Sequence, residues 1–422
     1  MKDAHLSVET LARLLAGDLD HEELSNQVVP HLLARCPGCQ RSYKEIRRLQ
    51  EEFAHWDERV AVFEGRQAPE LFEQLAELPF DEQLSLVADD PSFQTWALCQ
   101  LLLKQSREAR FYNPGMAVNL AELAVNISSN LGNAYDPHWV LDLQARTYAY
   151  LGSARRVLGE LRSSDTAFRR AESFALRSMT GNSLVWAEIL DLKSSLRREQ
   201  RRGDEALSLL DEAISIYRES GDAHAISAAL VKKAKILEES GDLTGAINLL
   251  QQAGDEIDPL RDARLFIYAR HNLAWCLTTA GRHEEAARLL PKVQDAFQQF
   301  AKPVDHIRLR WLEGRILFGL DNFETAEGVF REVQQQFLQR AMGFDAALVS
   351  LDLAILLAEQ RRRPELKQLA LEVIPVFEAQ DVHREAMAAL LMFQKACNEE
   401  TLTVELVRQI ASTLEQNRQA KS

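Results

Sequence analysis

The sequence predicts an all-α protein, in which a small helical domain pinned by zinc precedes a solenoid of helical hairpins. Three observations support this fold class. Apolar residues recur at spacings of three and four from about Pro91 onward, and short turns interrupt them at a regular interval. The first 65 residues contain the only Cys-x-x-Cys and four of the ten histidines. Glycine (18) and proline (12) are too scarce in 422 residues for a sandwich or barrel with many tight turns.

Composition and charge restrict the functions that the chain can have. A formal net charge of −14 at pH 7 repels a phosphate backbone, so we expect no nucleic-acid partner. No apolar stretch reaches the roughly 18–20 residues of a membrane helix, and the N-terminus lacks the pattern of a signal peptide. We therefore expect a cytoplasmic protein with no membrane contact. The isolated Cys99, Cys276 and Cys397 are expected to be small buried hydrophobic residues.

The first predicted element is a zinc-binding helical domain over residues 1–65. At its centre, His31, Cys36 and Cys39 form a His-x4-Cys-x2-Cys motif. Thiolates and imidazoles are the ligands that zinc prefers, and a structural site needs four of them in a tetrahedron. The motif supplies three ligands, so one more must come from elsewhere in the domain.

Helix lengths select the fourth ligand. Two antiparallel helices separated by Gly17 would bring His5, at the start of the first, close to the cysteine pair at the end of the second. His21 lies about 15 Å from His31 along the second helix, and His55 lies about 24 Å beyond the cysteines if the following helix is continuous. We therefore predict one structural zinc ion per chain, held by His5, His31, Cys36 and Cys39.

The segment HLSVETLARLLAGDLDHEELSNQVVPHLLARCPGCQ resembles the zinc-binding anti-sigma-factor domain. That family places an N-terminal His or Cys ligand ahead of a His-x3-Cys-x2-Cys motif, with a Gly-Asp/Glu-Leu turn between them, here Gly17-Asp18-Leu19. This chain has one extra residue between His31 and Cys36. The resemblance covers about residues 3–60 and implies a sigma factor as a partner.

Two other interpretations of these residues remain open. The domain could be a metal-free remnant of the same helical fold, or Cys36 and Cys39 could be redox-active or catalytic. A catalytic zinc ion keeps an open coordination position, and four protein ligands leave none. We therefore favour a structural ion.

Residues 66–90 are predicted to form a helical connector, in which Pro69 and Pro79 separate short amphipathic pieces. Five apolar side chains of this segment need burial, which indicates a structured connector rather than a disordered linker: Leu71, Phe72, Leu75, Leu78 and Phe80.

Residues 91–400 contain a repeat of about 40 residues. After each short turn, a helix carries a small, a large and a second apolar residue at positions i, i+4 and i+7, which lie on one helical face. The first members of five such trios are 40 residues apart. We predict that the small residues, Ala246 and Ala286 among them, are buried where paired helices approach closely. The trios are Ala206/Leu210/Ala213, Ala246/Leu250/Ala253, Ala286/Leu290/Val293, Ala326/Phe330/Val333 and Leu366/Ala370/Val373, after the earlier Ser164/Phe168/Ala171 and Ala117/Ala121/Ala124.

The segment Ala274–Leu290 (AWCLTTAGRHEEAARLL) resembles the tetratricopeptide repeat (TPR). The spacings from Gly241 to Ala246 and from Gly281 to Ala286 also match that family. The family's repeat has about 34 residues, so this chain is expected to have longer helices or loops. The resemblance covers about residues 91–400 and implies a right-handed solenoid whose groove binds a protein or peptide.

The last predicted element, residues 401–422, is a capping helix over Thr401–Gln416 followed by a tail. Its apolar positions are spaced to cover the final repeat: Val404, Val407, Ile410 and Leu414.

The sequence contains no phosphate-binding, metalloprotease or serine-hydrolase motif, so we expect no enzymatic activity. Arginine clusters such as Arg197-Arg198 and Arg361-Arg362-Arg363 lie at helix C-termini, where they complement the helix dipole. Two functions remain open. One is a soluble regulator that couples an anti-sigma-like zinc domain to a partner-binding solenoid, and the other is a scaffold or adaptor whose zinc domain is structural. Five tryptophans are expected in the core or groove: Trp96, Trp139, Trp186, Trp275 and Trp311.

Overall fold

A computed structural model describes residues 58–132, 135–178, 180, 182–259, 261–300, 303–379 and 403–410. All regular elements in these ranges are helices, which confirms the predicted fold class. They are α1 Glu58–Ala76, α2 Phe80–Asp89, a 3-10 turn Pro91–Phe93, α3 Trp96–Ala109, α4 Pro114–Asn130, α5 Pro137–Val157, α6 Leu161–Ser178, α7 Ser183–Glu199, α8 Gly203–Ser220, α9 Ala223–Ser240, α10 Leu243–Glu256, α11 Ala263–Thr279, α12 His283–Phe300, α13 Pro303–Gly319, α14 Phe323–Leu338, α15 Gly343–Glu359 and α16 Arg363–Ala379.

From α3 onward the helices form seven hairpins, each made of a first helix (α3, α5, α7, α9, α11, α13 or α15) and a second helix (the next in the chain). Every first helix also packs against the first helix of the next hairpin. Successive second helices make no comparable contact in the ranges described. Because the elements on the inner side of a curved stack are the ones that crowd together, the first helices line the concave groove.

The turns inside five hairpins have the same geometry. Each contains one residue with a left-handed backbone, 40 residues after the previous one: Arg201 (φ 60°), Gly241 (90°), Gly281 (76°), Asp321 (61°) and Arg361 (58°). The next amide then donates to a carbonyl five residues back, as Arg202 does to Arg197 at 2.9 Å and Asp242 does to Leu237 at 2.9 Å. This is the Schellman arrangement that ends helices. The 40-residue period of the sequence is therefore a period of backbone conformation.

We expect Arg361→Gly to stabilise the last hairpin by about 0.5–1 kcal/mol. A side chain in the left-handed region costs about 1–2 kcal/mol, and glycine avoids that cost but loses more backbone entropy on folding. Chemical denaturation of both proteins measures the gain. Arg361→Ala is the matched control, since it removes the same side chain and keeps the strained Cβ. An equal gain in both variants would assign the effect to the side chain.

The predicted trios are buried where hairpin helices meet. Ala246 and Ala286 are both fully buried, as expected, whereas Leu290 is only half-buried. The two phenylalanine members pack onto glycines of the first helices. A Cβ added to Gly152 would lie 3.0 Å from the Phe168 ring, and one added to Gly314 would lie 2.8 Å from the Phe330 ring. The small residues thus set how closely two helices pack.

The connector is structured, and its helices pack on the first core cluster. Helix α1 runs across the predicted boundary at residue 65 and continues through Pro69. The Glu64 carboxylate accepts hydrogen bonds from the Tyr135 hydroxyl at 2.6 Å and from the Ala97 amide at 3.3 Å. Burial raises the pKa of Glu64 above its usual range. This contact ties α1 to the first hairpin.

Residues 404–410 form a short helix at the far end, where Val407 and Ile410 are buried in the last core cluster. The predicted zinc ligands His5, His31, Cys36 and Cys39 lie outside the described residues, as does Cys397. None of the helices described is long and apolar enough to cross a membrane.

Candidate ligand-binding groove

The two sides of the solenoid differ in charge. The six first helices from α3 to α13 carry 16 basic and 9 acidic residues, a net charge of +7. Their six partner helices, α4 to α14, carry 8 basic and 16 acidic residues, a net charge of −8. The seventh first helix, α15, carries three acidic residues and no basic one, so the basic excess belongs to the part of the groove formed by α3 to α13. Such a field favours acidic ligands in the groove and repels them elsewhere.

In the N-terminal half of the groove, ion pairs join equivalent positions of neighbouring first helices. Glu188 on α7 accepts hydrogen bonds from Arg146 at 2.9 Å and from the Tyr150 hydroxyl at 2.6 Å, both on α5. Burial opposes the ionisation of Glu188, but Arg146 and Tyr150 outweigh it and hold its pKa below the usual range. On the next pair of helices, Lys232 donates to Asp191 at 2.6 Å. These contacts fix the spacing of the helices that form the groove wall.

Farther along the groove, aromatic residues accompany an ion pair between first helices, in which Arg315 on α13 lies 3.7 Å from Asp352 on α15. The Trp311 indole donates to Asp352 on α15 at 2.6 Å. The Trp275 ring meets Trp311 edge-on at 5.3 Å between centroids and lies 4.3 Å from the Arg315 guanidinium carbon. Burial raises the pKa of Asp352. This end of the groove is more apolar and is suited to hydrophobic side chains.

His271 lies among these rings, with centroids 6.2 Å from Trp275 and 6.0 Å from Phe297. Burial lowers its pKa to about 4; Asn272 and Asp305 favour the charged form, whereas Arg308 nearby opposes it. As the pH falls, the His271 side chain of the unfolded chain takes up a proton at a higher pH than that of the folded chain, near the ordinary histidine pKa of about 6.5. The contribution of the neutral imidazole to the free energy of unfolding is therefore complete above pH 6.5 and is lost as the pH falls through about 4.

We expect the wild-type protein to lose about 2–3 kcal/mol more than His271→Phe between pH 7 and pH 4. The phenylalanine keeps a ring in the cluster and removes the titration. Denaturant unfolding at several pH values measures the difference. His306→Phe, which changes an exposed imidazole on α13, serves as the control and should follow the wild-type profile. Parallel pH profiles for wild type and His271→Phe would contradict the prediction.

The start of α11 contacts the turn between α3 and α4 across the groove. The Arg264 guanidinium carbon, at the start of α11, lies 3.3 Å from the centroid of the Phe111 ring, in the turn between α3 and α4. Arg110 approaches the same ring at 5.3 Å. The Arg264–Phe111 contact joins the first and the fifth of the first helices along the groove, α3 and α11, which means that the solenoid is tightly wound. Tyr268, four residues after Arg264, lies on the same face of α11 and is 46% exposed.

The structure places the tryptophans as predicted. Trp96 and Trp311 are buried in core clusters, and Trp139, Trp186 and Trp275 are half-buried on first helices. Cys99 and Cys276 are buried free thiols, and burial raises the pKa of both.

One arginine of each predicted cluster, Arg197 and Arg362, forms ion pairs within the chain. Arg197 donates to Asp165 at 2.7 Å, and Arg362 pairs with Glu327 and Glu365. These contacts leave little basic charge free on either residue for a phosphate ligand, so both arginines belong to structural ion pairs.

Sequence reasoning did not identify Arg107, Arg110, Phe111 and Arg264 as a group. These residues come from the first and the fifth hairpin, with three hairpins between them, and their proximity depends on the pitch of the solenoid. The excess of basic residues on first helices is the sequence signal that points to the groove, because it can be counted once the repeat register is known.

No family model and no curated protein matches the sequence. Three solved structures share the fold. A Rap protein in complex with Competence and Sporulation Factor has 13% identity and a TM-score of 0.53, over 76% of this chain and 94% of its own. Aspartyl phosphate phosphatase F from Bacillus subtilis has 11% identity and a TM-score of 0.51, over 89% and 95%.

The third is a signal transduction ATPase (STAND) protein with a tetratricopeptide repeat sensor from Pyrococcus horikoshii. It has 15% identity and a TM-score of 0.53, over 90% of this chain and 55% of its own. At these identities the likeness shows the fold alone. This chain is a TPR-like helical repeat protein, a fold typical of protein–protein interaction and regulation.

Proposed function

We propose that this protein is a cytoplasmic regulator that acts by binding, without enzymatic activity, and that a protein or peptide partner occupies the groove lined by the first helices. The observation that carries the proposal is the groove itself, with its net positive wall and its exposed or half-buried aromatic side chains. Exposed tyrosine and tryptophan next to arginine are the residue types enriched at sites of protein recognition.

The solved structures support this proposal by their own ligands and roles. The Rap protein was solved with Competence and Sporulation Factor bound, and the repeats of the archaeal protein form a sensor. A solenoid of the same fold in this chain would present its groove to a partner in the same general way. The nature of that partner depends on the side chains of this groove.

We further propose that residues 1–65 form a zinc-binding anti-sigma-like domain coupled to the solenoid. Its support is the donor set: two thiolates and two imidazoles, from His5, His31, Cys36 and Cys39, suit a structural zinc ion. The ion would hold the ends of two short helices together. A sigma factor is the partner that the resemblance suggests for this domain, whereas the groove would take a second partner.

Affinity capture with the full chain from its native host, followed by mass spectrometry, tests the proposed groove. Tyr268→Glu removes the exposed ring and places a carboxylate on the inner face of α11, and we expect it to abolish capture of the groove partner. Leu176→Glu introduces the same charge on α6, a second helix, where the side chain is 72% exposed. Capture should survive this control, and equal recovery by both variants would refute a groove-bound partner.

The same experiment separates the two roles of the N-terminal domain. A sigma factor that is recovered with the wild type and lost with Cys39→Ser supports the anti-sigma role. A groove partner recovered without any sigma factor supports an adaptor whose zinc domain is structural.

A further inference from the structure

Four residues form an arginine–phenylalanine cluster where α11 contacts the turn between α3 and α4: Arg107, Arg110, Phe111 and Arg264. The Phe111 ring lies between two guanidinium groups, with their carbons 3.3 Å (Arg264) and 5.3 Å (Arg110) from its centroid. The ring is nevertheless 48% exposed, and Arg107 and Arg264 are also exposed. The cluster is therefore open to a ligand in the groove.

The positive charge of this cluster is not neutralised by ion pairs. Among the described residues, Arg107, Arg110 and Arg264 form no salt bridge, in contrast to Arg146 and Lys232 deeper in the same groove. Arg110 donates only to neutral oxygens, the Arg107 carbonyl and the Ser153 hydroxyl, each at 3.1 Å. Burial and the neighbouring Arg156, Arg107 and Arg264 lower the pKa of Arg110 to about 10.

The nearby carboxylates have other partners. Asp262, two residues before Arg264, caps α11 by accepting from the Leu265 amide at 2.9 Å, and it lies 3.7 Å from His224. Glu188 is held by Arg146 and Tyr150, as described above. Carboxylates also act on the cluster without forming ion pairs with it: Glu188 and Asp262 act on Arg107, which also bonds to Tyr150, and Asp305 acts on Arg264. The guanidinium groups keep further N–H donors, which can bind a carboxylate.

We propose that the arginine–phenylalanine cluster binds the carboxylate groups of an acidic protein segment that lies extended in the groove. The proposal rests on the proposed function, since it specifies the chemistry of the groove partner. Charge complementarity supports it, because the six first helices from α3 to α13 carry +7 and their partner helices, α4 to α14, carry −8. An acidic segment is attracted to the groove and repelled by the outer surface, which fixes where it binds. The exposed Phe111 ring offers an apolar contact to the side chain beside the carboxylate.

Fluorescence anisotropy with a labelled hexaglutamate peptide tests the proposal on the full chain at low salt. We expect binding to wild type, no binding of hexaglutamine, and about a tenfold or greater loss of affinity in Arg110→Gln/Arg264→Gln. Arg218→Gln removes an exposed arginine from α8, a second helix, and should leave the affinity unchanged. Affinity should also fall steeply with ionic strength.

A conservative variant tests whether misfolding explains a loss of affinity, and a competition experiment tests whether the cluster binds another anion. Arg264→Lys keeps the charge and loses the bidentate geometry, so its affinity should lie between wild type and Arg264→Gln, with unchanged circular dichroism. Equal binding by wild type and the double variant, or equal binding of hexaglutamine, would overturn the proposal. Displacement of the peptide by inorganic phosphate at the same concentration as by free glutamate peptide would also overturn it, because the cluster would then be a phosphate site.

The capture experiment distinguishes this inference from the proposed function. A partner that requires Tyr268 but is retained by Arg110→Gln/Arg264→Gln leaves the groove function standing and refutes the acidic ligand. A partner that is independent of Tyr268 refutes the groove function itself.

Discussion

Replacing Phe330 by alanine should destabilise the C-terminal hairpins by about 3–5 kcal/mol. The ring is fully buried between α13 and α14, and its removal loses apolar burial and leaves a cavity against Gly314. Denaturant unfolding followed by circular dichroism measures the change. Leu320→Ala, at a turn position that is 41% exposed, is the control and should shift stability by about 0.5 kcal/mol or less. A similar small shift for Phe330→Ala would show that the trio register is wrong.

A double-mutant cycle locates the Phe330 contact. Gly314→Ala alone should destabilise, because its Cβ would lie 2.8 Å from the Phe330 ring. In the Phe330→Ala background the same methyl group enters the cavity and should be tolerated. We expect a coupling energy of about 1–3 kcal/mol between the two sites. Additive effects would mean that the two helices do not approach each other as described.

The second large effect concerns zinc. Cys36→Ser or Cys39→Ser should release the proposed ion and unfold residues 1–65, while the solenoid stays folded. A unit of about 60 residues buries a small core, and the binding energy of a structural zinc ion is available only to the folded arrangement. Metal analysis of purified protein should find about one zinc per chain in the wild type and none in either variant.

Three histidine variants complete the zinc experiment. His21→Ala and His55→Ala should keep the metal, since neither residue belongs to the proposed ligand set, whereas His5→Ala should weaken its binding. Full zinc occupancy in Cys39→Ser, or loss of zinc in His21→Ala, would refute the assignment.

The sequence predicts the hairpins well because their determinants are local. A small residue such as Ala246 and a large one such as Leu250 must lie on one helical face if two helices are to approach, so the pattern and its 40-residue period are visible in the chain. The left-handed turns at Gly241 and Gly281 follow from the same logic. Arg201 and Arg361 adopt that conformation without being glycine, because the Schellman hydrogen bonds impose it.

The candidate site was less predictable because it depends on how the hairpins curve. Arg264 meets Phe111 only if three intervening units rotate by a particular amount, and each unit contributes a small angle set by many side chains. The spacing of residues within one repeat carries no information on the total rotation between the first and the fifth hairpin. The Trp275–Trp311 pair was placed correctly in the core or groove, yet its contact with Arg315 became apparent only from the structure.

The pairing of each helix with its neighbours in the chain has a consequence for kinetics and mechanics. Nearly all helix contacts join elements that are close in sequence, so folding needs few long loop closures and can begin in any hairpin and spread. We expect such a stack to extend elastically under tension, because a small rotation at each interface between hairpins lengthens the solenoid without separating the helices. The Arg264–Phe111 contact joins residues about 150 positions apart, and it closes after the hairpins have formed. Under tension it should be the first contact to part, opening the coil while every helix remains intact.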